Sequence, residues 1–331
     1  MAKIKELDLV GWIRALFPGG AKGLALGIGD DCAAIRPTPG HEILVTTDTM
    51  VEGIHFYRKY AGPAAIGAKT ASVNLSDIAA MGGRPRFIFL SVNVTPDIEK
   101  KWMVAFLKGF KKAIAPFGCV LAGGNVTSTK NDLSFTVTAI GEVERGKRVD
   151  RSGAKPGDAV FVTGTPGDSA LGLGLMLEER KKHTAAERRL IARNTSPTPR
   201  IEWGVELASN RISSAMIDVS DGVALDLYRI AEASNVSAQV ALAGFPLSKD
   251  ARTEVEKRGA SVWREVLSGG EDYELLFTVP KRKLPLVNRM IKAGDIAAAP
   301  IGKIVRGRPG IHVTGPDGKP LRLKKLGWLH G

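Results

Sequence analysis

Short acidic stretches follow apolar segments at several places in this chain. The run Glu42–Val45 predicts a buried strand, and it leads directly into Thr46-Thr47-Asp48 and on towards His55. Side chains that emerge at the ends of strands commonly form the sites of α/β proteins. The chain is therefore expected to fold around strands that carry hydroxyls and carboxylates to a functional site.

Three further stretches repeat this pattern at Gly27–Asp31, Asn74–Asp77 and Asp218–Gly222. Their donors are oxygen atoms, without a matching set of His or Cys. Such donors suit Mg²⁺, which proteins usually hold by a few carboxylates together with water and substrate phosphates. A single stretch of this kind is also typical of an ordinary polar loop, but four of them together predict bound metal.

The length of 331 residues accommodates two domains, each with its own core. No apolar run approaches the roughly 20 residues of a membrane-spanning helix, and the N-terminus lacks the order of a secretory signal. We therefore expect a cytoplasmic protein without membrane contact. Cys32 and Cys119 are the two cysteines, and their spacing indicates free thiols.

The charge balance is strongly basic, with 47 Lys and Arg against 34 Asp and Glu and a formal net charge of +13. Attraction of phosphate is one interpretation, and a basic solvated surface is another. The basic residues are scattered, and aromatic residues make up 6% of the chain, too few for a base-stacking platform. A nucleic-acid-binding protein is therefore the less favoured hypothesis.

Turn and periodicity signals divide the chain into elements. Predicted helices lie within Met1–Phe17, from Pro63 to about Met81, from Pro96 through Ile114, within Ala170–Leu177 and at Val223–Ala233; predicted strands lie at Arg86–Val94, Cys119–Ala122, Leu133–Ala139, Ala159–Thr163, Ala215–Val219, Glu274–Val279, Ile301–Val305 and Gly310–Val313. Asp77 falls near the C-terminal end of its helix, where the dipole disfavours an anion and a bound cation would relieve the conflict.

Two glycine-containing turns are candidates for contact with phosphate. Gly123-Gly124 precedes Asn125 and a run of hydroxyls, and Gly164–Ser169 links a strand to a helix. The second turn lacks the lysine of a P-loop. The segment Glu144–Asp158 is the best candidate for a domain boundary.

Together and in this order, the motifs resemble the thiamine-monophosphate kinase family, within the superfamily that also contains aminoimidazole ribonucleotide synthetase. The resemblance covers nearly the whole chain. It is carried by Gly27–Asp31, Thr46-Thr47-Asp48 through His55, Asn74–Asp77, Arg151–Asp158, Val162–Ser169, Asp218–Gly222 and Ser268–Leu275.

The resemblance implies phosphorylation of thiamine monophosphate by ATP, with several Mg²⁺ ions. It also implies a two-domain fold of the α+β and α/β classes: an N-terminal mixed-sheet α+β domain that forms a homodimer, residues 1–148, and a C-terminal α/β domain, residues 149–331, with the active site in a cleft between them.

Matching by motif carries site roles onto this sequence. Metal roles fall on Asp30, Thr46, Thr47, Asp48, Asp77, Asn125, Asp218 and Asp221; ATP contacts fall on Gly124, Asn125, Arg151 and Ser220; substrate contacts fall on His55, Glu271 and Trp328. Two positions depart from the family pattern. Many relatives have Asp at Asn125, so this ligand lacks a charge here, and Leu107 stands where some relatives have an aromatic residue near the nucleotide.

The implied chemistry needs no dedicated catalytic base. A phosphate monoester with a second pKa of about 6 is largely dianionic at neutral pH and is already a nucleophile. Neutralising two polyanions is the harder task, so we expect catalysis by positioning and electrostatics. The main alternative is another ATP-using ligase or cyclase of the same superfamily, and a basic nucleic-acid-binding protein is the remote one.

Overall fold

The computed structural model of the chain describes residues 6–178, 180, 182–259 and 262–328. The chain divides into two compact units. The first comprises Met1–Ile78 and Gly83–Gly146, and the second comprises Ala79–Gly82 and Lys147–Gly331. Each unit is built around its own β-sheet.

The described residues form ten α-helices and twelve strands. The helices are α1 (Glu6–Leu16), α2 (Pro63–Ala80), α3 (Lys100–Ile114), α4 (Asp168–Leu177), α5 (Ala185–Thr195), α6 (Ile201–Ser209), α7 (Val223–Ala233), α8 (Lys249–Arg258), α9 (Val262–Ser268) and α10 (Leu284–Ala293). The strands are β1 (Leu24–Leu26), β2 (Ala34–Ile35), β3 (His41–Val51), β4 (Arg84–Val94), β5 (Val120–Ser128), β6 (Ser134–Glu144), β7 (Ala159–Thr163), β8 (Ala215–Asp218), β9 (Ser237–Ala241), β10 (Leu275–Val279), β11 (Ala298–Val305) and β12 (Gly310–Thr314).

The first unit contains a four-stranded mixed sheet in the order β3-β6-β4-β5. Its first two pairings are antiparallel, and β4 pairs with β5 in parallel. Helices α2 and α3 approach each other closely, since a Cβ at Gly67 would overlap the carbonyl oxygen of Phe106. Phe106 also stacks on Phe135 of β6 with ring centroids 4.0 Å apart, so α3 is packed onto the sheet.

The second unit contains a six-stranded sheet in the order β12-β9-β11-β7-β10-β8. The β12-β9 pair is parallel, and the other pairs are antiparallel. All residues of the interior strand β10 are buried, including Thr278 in its otherwise apolar sequence. Helix α4 meets α5 closely, because a Cβ at Gly172 would overlap the carbonyl oxygen of Leu190.

Among the predicted elements that differ from the structure are the following three. The strand expected at Glu42–Val45 continues to Val51, and Val45 is 64% exposed, so β3 has one buried face instead of two. Strand β5 continues through Gly123-Gly124 to Ser128, where a turn was predicted. Helix α3 begins at Lys100, not at Pro96. In the first two cases pairing with neighbouring strands extends the element past its sequence signal.

The predicted combination of an N-terminal mixed-sheet unit with a second unit of sheet and helices is confirmed. Dimerisation of the first unit stays a prediction. Among the described residues, no helix combines the length and hydropathy needed to cross a bilayer.

Helix packing in the first unit leads to a test of stability. A Cβ at Gly109 of α3 would overlap the carbonyl oxygen of Ala64, so we expect Gly109→Ala to lower the free energy of unfolding by about 1–3 kcal/mol through overpacking. Gly11→Ala in α1 is the matched control: its Cβ meets no atom of the described residues within 4 Å, and alanine should add about 0.5–1 kcal/mol there. Thermal unfolding of both variants checks this, and equal shifts would contradict it.

Candidate active site

The first unit contains a cavity that collects several predicted site residues. Its volume is about 830 Å³, and its walls come from α1, the loop at residues 27–33, β4 and β5. Asp30, Asp31, Gly124 and Asn125 all line it. Asp30 accepts a hydrogen bond from the Asp31 backbone N–H at 2.9 Å, which fixes the turn in the loop. Asp30, with its predicted metal role, and Gly124 and Asn125, with their predicted ATP contacts, therefore share one cavity although their motifs are far apart in sequence.

The glycine pair beside this cavity is explained first by packing. A Cβ at Gly124 would overlap the carbonyl oxygen of Leu90, and the φ of Gly124 is 156°. Glycine is therefore required for β5 to lie beside β4 at this point. Asn125, which follows it, pairs with Ser91 and is exposed. Leu107 is fully buried in α3 and belongs to the core.

Arg14 is a cavity residue that the sequence did not reveal. It lines the same cavity from α1, and its guanidinium lies 3.4 Å from the position of a Cβ on Gly29. A cation beside the acidic loop suits an anionic ligand. Its sequence signal was weak, because Arg14 is one of many scattered basic residues.

A second group of predicted residues lies on β3 and α2. Thr46 donates a hydrogen bond from its hydroxyl to the Asp77 carboxylate at 2.5 Å. The backbone N–H of Asp48 donates to the side-chain oxygen of Asn74 at 3.1 Å. Helix α2 therefore positions β3 through two polar contacts, and the hydroxyl and carboxylates of this group lie together.

Thr47 lies on the opposite face of β3 from Thr46 and Asp48, because successive side chains of a strand alternate. Its hydroxyl donates to the carbonyl oxygen of Val137 at 3.0 Å and accepts from the Thr138 hydroxyl at 3.2 Å. The structure therefore does not bring the Thr47 hydroxyl to the Asp48 group.

The two groups of the first unit lie at opposite edges of the sheet. Asp48 pairs with Val137, Val137 with Leu90, and Leu90 with Gly124. Three strand spacings of about 4.8 Å separate the ends of this row by about 14 Å. One metal ion cannot bind directly to both Asp48 and the Gly124-Asn125 segment of the same chain.

His55 follows β3 and is held by three hydrogen bonds. Its Nδ1 accepts from the Val51 backbone N–H at 3.1 Å, its own N–H donates to the Val51 carbonyl at 2.9 Å, and the buried Lys69 donates to its carbonyl at 3.1 Å. An accepting Nδ1 places the proton of the neutral ring on Nε2. The ring therefore presents a donor, in keeping with the predicted substrate contact.

In the second unit, strand β8 ends at Asp218 and is followed by Ser220 and Asp221, directly before α7. The fully buried carboxylate of Asp226 accepts three backbone N–H bonds from residues 220–222, at 3.0–3.1 Å. Burial raises the pKa of Asp226 to about 7. Arg229 bridges the carboxylates of Asp221 and Asp226, with a distance of 2.6 Å to each.

Backbone hydrogen bonds bring the predicted substrate residues to this loop. The N–H of Glu271 donates to the Ser220 carbonyl at 2.8 Å, and the N–H of Trp328 donates to the Asp221 carbonyl at 3.0 Å. Close packing requires glycine before Trp328, since a Cβ at Gly327 would overlap the Asp221 carbonyl oxygen. Trp328 remains 58% exposed. Three segments far apart in sequence therefore meet at residues 220–221.

Glu271 is held in a left-handed backbone conformation, with a φ of 66°. Its carboxylate accepts from the Asn194 side-chain amide at 2.8 Å, and the same amide donates to Ser169 at 3.0 Å. Asn194 on α5 is therefore a positioning residue for Glu271 that the sequence did not reveal.

The turn at Gly164–Ser169, considered above as a phosphate contact, is already occupied by a carboxylate of the protein. Asp272 accepts from the backbone N–H groups of Gly167 and Ser169, at 2.8 and 3.1 Å. Asp272 is buried, and burial raises its pKa well above the usual value. The amides at the start of α4 therefore bind this internal acid, and the phosphate interpretation of this turn is wrong.

Arg151 lies away from the other nucleotide residue of its unit. Its carbonyl accepts from the Ser234 hydroxyl at 3.4 Å, at the C-terminal end of α7. Ser220 precedes the N-terminal end of the same helix, whose length of 11 residues corresponds to about 16 Å. The predicted ATP contact of Arg151 stays a prediction.

The donor chemistry of both units fits Mg²⁺. Their predicted ligands are carboxylate, hydroxyl and amide oxygens. Among the described residues, no three acidic, His or Cys side chains form a group that could hold a metal ion.

Comparison with known proteins shows similarity to one family along nearly the whole chain. The model of the AIR synthase related protein N-terminal domain matches residues 29–143, and that of the C-terminal domain matches residues 155–314. Thiamine-monophosphate kinase of Aquifex aeolicus is 37% identical over 303 residues, which are 92% of each chain.

Two solved structures agree in fold. Thiamine-monophosphate kinase from Stenotrophomonas maltophilia superimposes with a TM-score of 0.84 at 35% identity, over 97% of this chain and 99% of that one. AaThiL complexed with AMPPCP and TMP gives a TM-score of 0.78 at 33% identity, over 100% and 99% of the two chains. With matching family models, sequence and fold over nearly its whole length, the chain belongs to the thiamine-monophosphate kinase family of AIR synthase related proteins.

Proposed function

We propose that this protein is a kinase that transfers the terminal phosphoryl group of ATP to thiamine monophosphate, giving thiamine diphosphate and ADP. The observation that carries the proposal is the meeting of Asp221, Glu271 and Trp328 through backbone hydrogen bonds. These contacts bring together the segments that carry the Asp221 carboxylate, which suits a metal ion, the Glu271 carboxylate and the exposed indole of Trp328. The relative solved with AMPPCP and TMP supports the same pair of substrates.

The residues of the chain act by binding and orientation. The exposed indole of Trp328 offers a face for stacking on a cationic thiazolium ring. His55 presents an Nε2 donor, and Asn194 fixes the direction of the Glu271 carboxylate. The acceptor phosphate is already anionic, so the chain needs no base to activate it.

Mg²⁺ would be held by Asp30, Asp48, Asp77, Asp218 and Asp221, with Thr46 and Asn125 as neutral oxygen donors. When bound, it would neutralise the oxygens of the phosphates that react. The number of ions stays open in this proposal.

We also propose that the protein is a homodimer formed through the sheet of the first unit. On the outward face of the edge strand β3, Ile43 and Val45 are 43% and 64% exposed. A second copy would cover these apolar side chains. A monomeric mass by light scattering at micromolar concentration would contradict this.

A cytoplasmic location, expected from the sequence, stays a prediction.

Acceptor choice tests the reaction. We expect ATP and Mg²⁺ to support phosphorylation of thiamine monophosphate with a kcat/KM roughly 100-fold or more above that for free thiamine, because the thiamine hydroxyl would need a general base. Product masses check this by separating thiamine diphosphate plus ADP from ADP plus free phosphate, the products of the ligase or cyclase alternative. Similar rates on both acceptors would overturn direct transfer to a phosphate.

Asp48 tests the metal role at β3. Asp48→Asn keeps the backbone bond to Asn74 but removes a charge, so kcat should fall roughly 100-fold or more while the fold survives. Asp132→Asn, on the exposed loop before β6, makes the same charge change and should leave kcat unchanged. Steady-state kinetics and thermal unfolding measure both effects. An Asp48→Asn enzyme with near-normal kcat would refute the assignment.

Asn125→Asp makes the opposite change in the cavity that also holds Asp30 and Asp31. If Mg²⁺ approaches this position, the new carboxylate lowers the Mg²⁺ concentration needed for half-maximal rate. Titration of activity with Mg²⁺ and with ATP measures this. A higher KM for ATP without a tighter Mg²⁺ dependence would remove Asn125 from the metal ligands.

A further inference from the structure

Arg229 forms two ion pairs at the loop before α7. Its Nη2 lies 2.6 Å from a carboxylate oxygen of Asp221, and its Nη1 lies 2.6 Å from a carboxylate oxygen of Asp226. The Asp221 side chain is 22% exposed, and that of Arg229 is 30% exposed. The carboxylate with the predicted metal role is therefore already paired with a cation of the protein.

The two carboxylates that share Arg229 have different roles. Asp226 is fully buried, and its other oxygen accepts the N–H groups of residues 220–222. Asp221 lies nearer the surface, and its backbone carbonyl is bonded to Trp328. The Asp226 contact is thus part of the framework of the loop. The Asp221 contact joins side chains alone and can separate without moving the backbone.

We propose that Arg229 is the resident cation of Asp221, and that Mg²⁺ binds this carboxylate only by displacing the Arg229 guanidinium. The inference rests on the proposed metal role of Asp221. Arg229 then acts as a positioning residue that sets the Mg²⁺ affinity of this ligand, while its second contact keeps it tied to Asp226.

Electrostatics explains why the two cations exclude each other. A guanidinium at 2.6 Å occupies one carboxylate oxygen of Asp221, and its charge repels a divalent ion that approaches the same carboxylate. If the hydrogen bond between the charged Arg229 and Asp221 must be broken before the metal binds, the metal affinity is lowered by roughly tenfold. Mg²⁺ that arrives with phosphate oxygens as further ligands competes better than Mg²⁺ alone.

Calorimetric titration of the nucleotide-free full-length protein with Mg²⁺ tests this directly. Arg229→Gln removes the charge, so the binding event that depends on Asp221 should become about tenfold tighter. In an Asp221→Asn background, the same Arg229→Gln change should have no effect, which makes a double-mutant cycle. Tighter binding is a result that structural damage would not produce.

Two variants serve as controls. Arg189→Gln removes the same charge from another Arg–Asp pair of the second unit, in which Arg189 contacts Asp250 at 2.6 Å, and it should leave Mg²⁺ affinity unchanged. Arg229→Lys keeps a positive charge beside the two carboxylates and should tighten Mg²⁺ binding less than Arg229→Gln does, because a competing cation remains. Thermal unfolding of each variant monitors the fold.

The outcomes separate the inference from the function on which it rests. If Asp221→Asn weakens Mg²⁺ binding but Arg229→Gln fails to tighten it, the inference is overturned while the metal role survives. If Asp221→Asn leaves Mg²⁺ binding unchanged, both are overturned. Tightening by Arg229→Lys equal to that by Arg229→Gln would also overturn competition by charge. Phosphorylation of thiamine monophosphate by the native protein is measured independently.

Discussion

The buried carboxylate of Asp226 is the interaction on which the second unit's site depends. The backbone N–H groups of residues 220–222, directly before α7, all donate to the Asp226 carboxylate from the first turn of that helix. The positive end of the helix dipole further stabilises an anion there. With the backbone of residues 220–222 fixed in this way, the carbonyls of Ser220 and Asp221 are directed to the N–H groups of Glu271 and Trp328. One internal acid therefore sets the register of three distant segments.

In the first unit, the site residues are positioned by strand pairing and not by a buried carboxylate that accepts backbone N–H groups. Alternation along β3 places Thr46 and Asp48 on one face, and α2 contacts them through Asp77 and Asn74. The same alternation directs the Thr47 hydroxyl to the other face, towards Thr138. Since β3 and β5 are opposite edges of one sheet, a single chain presents two separate groups of oxygen donors. The two groups therefore cannot share one directly bound ion within a single chain.

The elements were predictable wherever their signals are local. The bounds of α2 and α7 and the strand β7 follow from glycine and proline signals and from apolar runs, and the acidic motifs identified Asp30, Asp48 and Asp221 as candidates. Two features that the sequence did not indicate depended on partners far away in sequence, whereas the start of α3 at Lys100 was missed although helix ends depend on local sequence. The extension of β5 through its glycines comes from pairing with β4, and the capture of the α4 amides by Asp272 joins residues 103 or more apart. Asn194 and Arg229 carried no signal, because their roles exist only through the folded neighbours Glu271 and Asp221.

The acidic motifs lie in a strongly basic chain, and the donors that contact their carboxylates show how the two features fit together. Where a site carboxylate is held by the protein, the holder is a hydroxyl, a backbone N–H or a guanidinium, as at Asp77, Asp30 and Asp221. These contacts pair the part-buried acids Asp77 and Asp221 and the exposed acid Asp30. A divalent cation that bound these carboxylates as proposed would replace such donors, with phosphate oxygens as further ligands. The net charge of +13 favours the approach of such phosphates.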